Sequence, residues 1–279
     1  MKINSFSFQG TNGAYSELAG KNIFPDANSI ACKTFEEMFD YVRNNKADIA
    51  IVPIENSRAG RVADTQRLIP ESKLNIVGEY FLEVNHCLLA SSEASMKTIK
   101  FIKSHEQALT QCRNNILKND KEMVIVADTA GAAKIVSESK SIEDAAIASE
   151  LAAKIYNLKI IESNFQDANN NVTRFLIMSK NPSELSPNDE NLMTTLVFQV
   201  RSIPASLYKS LGGFASNGVN ITKLESYVHP QGFDVAQFYI DFEGHPDQKS
   251  VKLAIEEMKF FCKHIDILGV YKMSDFRKK

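Results

Sequence analysis

Apolar and polar residues alternate from Ile3 to Phe8, the period of a strand with one buried face. A polar loop over Gly10–Ala14 then leads to a helix from about Tyr15. The same succession recurs. Thr34-Phe35-Glu36-Glu37 is a capping box that opens a helix ending near Asn44-Asn45, and Asp48–Val52 is a buried strand that stops at Pro53, with Pro53–Ser57 as the loop beyond it. Thr98–Ile102 feeds Ser104-His105-Glu106-Gln107, and Met123–Ala127 feeds Asp128–Ala133, each a strand running into a helix start. This is an α/β pattern, and open parallel sheets bind ligands at such carboxyl-end turns.

Residues 179–190 combine two prolines with polar residues and lack apolar periodicity, which reads as an interdomain linker. After it the order becomes strand 193–200, helix 205–217, strand 221–227, strand 236–242, helix 247–261 and strand 265–271, a βαββαβ arrangement. Pro204 suits the first helix position and Asn217-Gly218 its end.

A chain of 279 residues with 44% hydrophobic residues buries a sizeable core. A net charge of -2 supplies no general field for nucleic acid or an anionic membrane, so an anionic ligand has to be met by local donors. The four cysteines, Cys32, Cys87, Cys112 and Cys262, form no CxxC pair and read as buried thiols of a cytoplasmic protein. No apolar run approaches a membrane span, no GxGxxG or GxxxxGK[ST] motif occurs, and the histidines His86, His105, His229, His245 and His264 stand in no metal-ligand spacing.

Ser104, Gln107 and Gln111 fall on one face of a single helix, although Ser104 and Gln107 also fit an ordinary capping box. Asp128-Thr129 precedes a helix whose free N–H groups favour an anion, or is a plain N-cap. Glu55-Asn56-Ser57 presents three polar side chains at the carboxyl edge of the sheet, or is simply a turn. Asn169–Asn171 leads into Val172–Met178. In a regular strand Thr173 and Arg174 face opposite sides, so both serve one ligand only if the chain is still irregular there.

Taken together and in order, Gln9-Gly10 with Gly13-Ala14-Tyr15-Ser16, Pro53–Ser57, Ser104-His105 with Gln107 and Gln111-Cys112, Asp128-Thr129-Ala130, Ala146–Ser149, and Asn171 with Thr173-Arg174-Phe175 resemble prephenate dehydratase, nearly end to end. The segment from Pro204-Ala205-Ser206-Leu207 through Gly218–Thr222 to Glu225-Ser226 looks like the phenylalanine-sensing motif of an ACT domain. It departs from that motif at Ala205-Ser206, where Gly-Ala is usual, and at Tyr227-Val228, where Arg-Pro is common.

The resemblance implies a bilobal catalytic domain like that of periplasmic binding proteins over 1–178, a linker at 179–190 and an α+β ferredoxin-like ACT domain over 191–279. The chain would cross between lobes near Glu79–Leu82 and near Ile160–Phe165. It implies the decarboxylative dehydration of prephenate to phenylpyruvate without a cofactor or metal, feedback by phenylalanine, and a homodimer or homotetramer. The essential threonine falls on Thr173, and substrate-contacting positions fall on Asn56, Ser104, Gln111, Thr129, Asn171, Arg174 and Phe175, with Glu55, Ser57 and Gln107 behind them. Arg174 would clamp a carboxylate. The effector positions are Ser206, Leu207, Gly218, Asn220, Glu225 and Ser226. Two alternatives stand beside this reading: an arogenate dehydratase, whose subgroup Asp128–Ala133 also resembles, and a non-enzymatic amino-acid sensor.

Overall fold

The computed structural model describes residues 2–229 and 232–278. The first sheet begins with β1 (Ser5–Gln9), reached again through α1 (Tyr15–Ile23), β2 (Asn28–Cys32), α2 (Phe35–Arg43) and β3 (Ile49–Asn56). β1 pairs in parallel with both β2 and β3. α2 starts where its sequence demands: Thr34 Oγ1 accepts from Glu37 N at 3.1 Å, while the Glu37 carboxylate accepts from Lys33 N at 2.7 Å, one residue before the position expected of a reciprocal box.

β3 does not stop at Pro53. It runs on to Asn56, and the short β4 (Gly60–Arg61) folds back on it, pairing Glu55 with Arg61 and Asn56 with Gly60. Its register with β1 ends at Phe8 and Ile51, so the missing N–H of Pro53 interrupts no bond to that neighbour. Glu55 and Asn56 are therefore strand residues rather than loop residues.

α3 (Ala63–Glu71) and β5 (Asn75–Glu83) lead to a second sheet, built from β6 (Cys87–Ala90), β7 (Phe101–Ser104), β8 (Glu122–Ile125), β9 (Asp144–Ala148) and β10 (Lys159–Glu162) in the order β10-β6-β9-β7-β8. Helices α4 (Glu106–Gln111), α5 (Arg113–Lys118), α6 (Thr129–Ser139) and α7 (Glu150–Ile155) accompany it. β11 (Val172–Ser179) returns to the first sheet, whose order is β2-β1-β3-β11-β5. The fold is thus bilobal. The first crossing lies at 84–86, later than expected because Glu79–Leu82 is still inside β5; the second lies at 163–171.

At the crossings Val84 N donates to Asn171 O at 2.7 Å and Phe165 N to His86 O at 2.8 Å. Gly13 allows the loop before α1 to lie against α7: its φ is +91°, and a Cβ there would stand 2.8 Å from Ala152 Cα. Ser149 Oγ donates to the Gly13 carbonyl at 2.6 Å.

The last sheet consists of β12 (Leu192–Val200), β13 (Ile221–His229), β14 (Gly232–Glu243) and β15 (Cys262–Lys272), antiparallel in the order β13-β14-β12-β15, with α8 (Ser206–Ser216) and α9 (Lys249–Lys259). This is the expected βαββαβ fold. Leu196, Phe198, Phe238, Ile240 and Phe242 turn one sheet face toward Phe214 of α8 and Val251, Ala254 and Met258 of α9. A 3₁₀ turn at Asp275–Lys278 follows, and Arg277 grips the Glu79 carboxylate with two bonds of 2.7 and 3.0 Å. The compact units follow these contacts: residues up to Val62 with Phe81–Phe175 form one, and Ala63–Tyr80 with Leu176 onward the other. Among the described residues no helix is long and apolar enough to cross a membrane, and all four cysteines are free and buried.

Pro204 is not the first residue of α8. A turn holds it, and Ala205 caps the helix with φ 62° and ψ 16°, a left-handed conformation that its Cβ disfavours. Ala205→Gly is expected to stabilise the fold by roughly 0.5–1 kcal/mol, the left-handed strain removed less the extra chain entropy of glycine. Urea unfolding checks this, and an unchanged or lowered midpoint would show that Ala205 is not strained in solution.

Candidate active site

The polar residues that end β3 and begin β11 form one hydrogen-bonded group. Asn56 Oδ1 accepts from the backbone N–H groups of Arg58 at 2.9 Å and Ala59 at 2.8 Å. That fixes its amide nitrogen on the other side, where Nδ2 donates to Asn171 Oδ1 at 2.7 Å and to Thr173 Oγ1 at 2.8 Å. Asn171, 5% exposed, passes the pattern on, its Nδ2 donating to Gln111 Oε1 at 2.7 Å. Thr173 Oγ1 accepts a bond, so its own hydrogen is left over, and no described protein group accepts it. Ser57 aligns the strand entry: its Oγ accepts from Val172 N and donates to Asn170 O, both at 2.9 Å.

β11 is regular from Val172, so Thr173 and Arg174 do face opposite sides. Thr173 is half-buried, whereas Arg174 is 1% exposed, its Nη1 donating to Glu55 Oε1 at 3.1 Å and its Cζ 6.0 Å from the Phe81 ring centroid. The expected clamp on a substrate carboxylate is corrected on this point: the carboxylate that Arg174 holds is Glu55. Phe175 is likewise enclosed in the core at 1% exposure.

Ser104, Gln107 and Gln111 do not share a helix. Ser104 ends β7, fully buried, and its Oγ donates to Ile147 O at 2.7 Å across the sheet. His105 takes the cap, its Nδ1 accepting from Gln107 N at 3.3 Å, and Gln107 is exposed. The capping-box reading of Ser104 and the shared face both give way to the strand running two residues further than expected. Gln111, at the end of α4, is the member of the three that joins Asn171.

Asp128 is the N-cap of α6, its Oδ1 accepting from Gly131 N at 2.6 Å, with Thr11 Oγ1 donating to Oδ2 at 3.3 Å. Thr129 is half-buried at the first helical position and makes no bond to the Asn56 group.

A histidine joins the group that sequence reasoning passed over. His86 is 3% exposed; its Nε2 lies 2.9 Å from Gln111 Oε1 and its Nδ1 2.7 Å from Tyr15 Oη. Burial pushes its pKa down, with the Gln111 bond opposing, and burial likewise raises the Tyr15 phenol well above its usual value. The available signal was positional: Asn85-His86 precedes the apolar strand Cys87–Ala90 as Asn169–Asn171 precedes β11.

The model of one protein family, prephenate dehydratase, matches residues 6–183. The chain belongs to the prephenate dehydratase family. It is 43% identical over 273 residues to a bifunctional N-acyl-homoserine lactone acylase/prephenate dehydratase of Komagataeibacter europaeus, covering 98% of this chain and 97% of that one. It is 35% identical over 279 residues to arogenate dehydratase 2 of Petunia hybrida, covering 95% of this chain and 71% of the relative. Among solved structures it is similar to prephenate dehydratase of Arthrobacter aurescens in complex with L-Phe, at a TM-score of 0.87 and 29% identity, over 97% of this chain and 90% of that one. Membership makes the protein a dehydratase, a hydro-lyase.

Within this dehydratase the effector candidates separate into two sets in one chain. Ser206 and Leu207 open α8, whereas Gly218, with φ 67°, and Asn220 follow its end, about 16 Å away by the rise of an 11-residue helix. Asn220 Nδ2 donates to Glu243 Oε1 at 2.8 Å. Glu225 and Ser226 lie on β13 at the edge of the sheet, and Glu225 accepts from Gln66 Nε2 at 2.8 Å and pairs with Lys223 at 3.0 Å.

Proposed function

We propose that the protein converts prephenate to phenylpyruvate, with Thr173 as hydrogen-bond donor to the departing ring hydroxyl. In this step the ring carboxylate leaves as carbon dioxide, its bonding pair enters the ring, the ring C–O bond breaks, and the hydroxyl takes up a proton to leave as water. Aromatisation drives the reaction, so the protein has only to hold the dianion and assist the leaving group. The observation that carries the reading is the orientation of Thr173: Asn56 donates to its oxygen and thereby leaves its hydrogen for the substrate. A threonine is too weak an acid to be ionised in this role and relays a proton at most.

In this reading Asn56, Asn171 and Gln111 line the reacting face. Thr129 offers its hydroxyl and the α6 N-terminus to a substrate carboxylate. Ser57, Ser104, Gln107, Glu55, Arg174 and Phe175 shape the strands and the helix that carry them. Residues 1–178 are the catalytic domain, 179–190 the linker and 191–279 a regulatory ACT domain, in a cytoplasmic protein whose cysteines stay unbridged. Because its two candidate sets lie apart in one chain, a phenylalanine that touches both takes one from each of two chains, which makes the protein a homo-oligomer. Phenylalanine then acts by linkage, binding better to a less active state. Isothermal titration with and without a bound substrate analogue checks this: different phenylalanine affinities are expected, and equal ones would remove the coupling.

The direct experiment is product formation from prephenate and, separately, from arogenate. Phenylpyruvate from prephenate is the expected result. A strong preference for arogenate would move the substrate and keep the mechanism, and turnover of neither would leave a sensor. A parallel incubation with an N-acyl-homoserine lactone tests the second activity in the Komagataeibacter relative's name.

A further inference from the structure

The orientation of every amide in the Asn56 group follows from two backbone N–H groups. Asn56 Oδ1 faces Arg58 N and Ala59 N, so Nδ2 faces Asn171 and Thr173. Asn171 must then accept through Oδ1 and donate through Nδ2, so the Gln111 atom facing it is the oxygen. That same oxygen faces His86 Nε2 at 2.9 Å, and two acceptors cannot share a bond, so Nε2 carries the hydrogen. In the neutral ring Nδ1 is then an acceptor and takes the Tyr15 hydroxyl at 2.7 Å, in preference to the Asn85 carbonyl 3.1 Å from the same hydroxyl. With its oxygen bound twice, Gln111 has its NH2 left over, and this amide nitrogen donates to no described protein group.

We propose that His86, backed by Tyr15, is a positioning residue of the dehydration site: held in the Nε2–H form, it locks the Gln111 carboxamide with its oxygen inward and its NH2 toward the substrate. The consequence rests on the dehydratase reading; the tautomer does not. The network then has two outward donors, the Thr173 hydroxyl and the Gln111 amide, at the two ends of one polarised chain. Both suit a dianionic substrate losing a hydroxyl. A reversed chain would present acceptors in both places.

The chain is also reversible as a unit, which gives a specific test. In Asn56→Asp one carboxylate oxygen still accepts from Arg58 N and Ala59 N, while the other can only accept. Asn171 and Gln111 must then both turn over, and His86 Nε2 becomes an acceptor. The ring hydrogen moves to Nδ1, and Tyr15 turns its hydroxyl to Asn85 O. ¹⁵N spectra of histidine-labelled resting protein at neutral pH are expected to show His86 in the Nε2–H form in the wild type and in the Nδ1–H form in Asn56→Asp. An Nδ1–H wild type would overturn the proposal, as would an Asn56→Asp spectrum still in the Nε2–H form. Should Asn56→Asp not fold, the wild-type spectrum still decides.

Two variants address the consequence. His86→Phe keeps the ring and frees Gln111 to rotate, and kcat/KM for prephenate is expected to fall on the order of tenfold to a hundredfold. Gln111→Glu keeps both inward bonds and the Nε2–H spectrum but replaces the outward NH2 with a charged oxygen, so KM is expected to rise steeply. An unchanged KM in Gln111→Glu, or unchanged kcat/KM in His86→Phe, would remove the positioning role. Because the spectra need no substrate, a protein that fails to turn over prephenate would overturn the function and leave the tautomer result standing.

Discussion

Thr173→Val, which keeps the β-branched shape that suits β11, is expected to lower kcat on prephenate by roughly two to four orders of magnitude, the range of a lost proton-transfer group, with little change in KM. The change is confined because Thr173 is half-buried and its oxygen receives a single described bond, from Asn56 Nδ2 at 2.8 Å. Asn56 keeps its two backbone partners and Asn171, so the turn from β3 to β4 stays in place. Thr173→Ser restores a hydroxyl at the same atom and is expected to recover most of the activity. Steady-state kinetics beside an unfolding curve separate the outcomes. Near-normal kcat in folded Thr173→Val would take Thr173 out of the mechanism, whereas a rise in KM alone would reassign it to binding.

The elements that periodicity marks are those the sequence discloses best. Every strand and helix of the βαββαβ unit lies within a few residues of its expected span, because each is bounded by a change of period or a turn residue and one face fills a single core. The misplacements have local causes. Pro53 reads as a stop, yet β3 continues because its bonds to β1 are already finished. Ser104 reads as a helix cap because S-x-x-Q fits one, but the strand runs two residues further and spends the hydroxyl on Ile147 O. Asn56, Gln111, Asn171 and Thr173, which the family motif names together, lie on three different segments and meet only after folding. His86 and Tyr15 escaped because neither shows a spacing that announces chemistry; the crossing between lobes places His86, and the start of α1 brings Tyr15 to it, a property of topology. Arg174 shows the opposite error. The two-residue period already set it across the strand from Thr173, and the family motif drew it toward the ligand.

The Glu55–Arg174 pair is expected to carry a large share of the stability of the first sheet where β3 meets β11. Arg174 is 1% exposed, and the guanidinium cannot give up its charge, so replacing Glu55 leaves a buried cation with a partner removed. Loss of one member of a buried pair costs roughly 3–5 kcal/mol, and the 34% exposure of the Glu55 side chain places Glu55→Ala toward or below the lower end of that range. Arg174→Lys is expected to destabilise as well, since a point charge replaces a planar fork packed beside Phe81. The apolar double variant Glu55→Leu with Arg174→Met is expected to be more stable than the sum of the single losses predicts, because it removes both charges together. Urea unfolding of the two singles and the double closes the cycle, and strictly additive losses would show that the two side chains do not act as a pair. The same variants decide what Arg174 does for the reaction. Glu55 precedes Asn56 and Arg174 follows Thr173, so loosening the pair displaces the donor and the group that orients it, and kcat should fall together with stability. Should Arg174→Lys keep its unfolding midpoint and raise KM instead, the guanidinium would be reaching the substrate, and the clamp that the family motif implied would return in place of the internal pair.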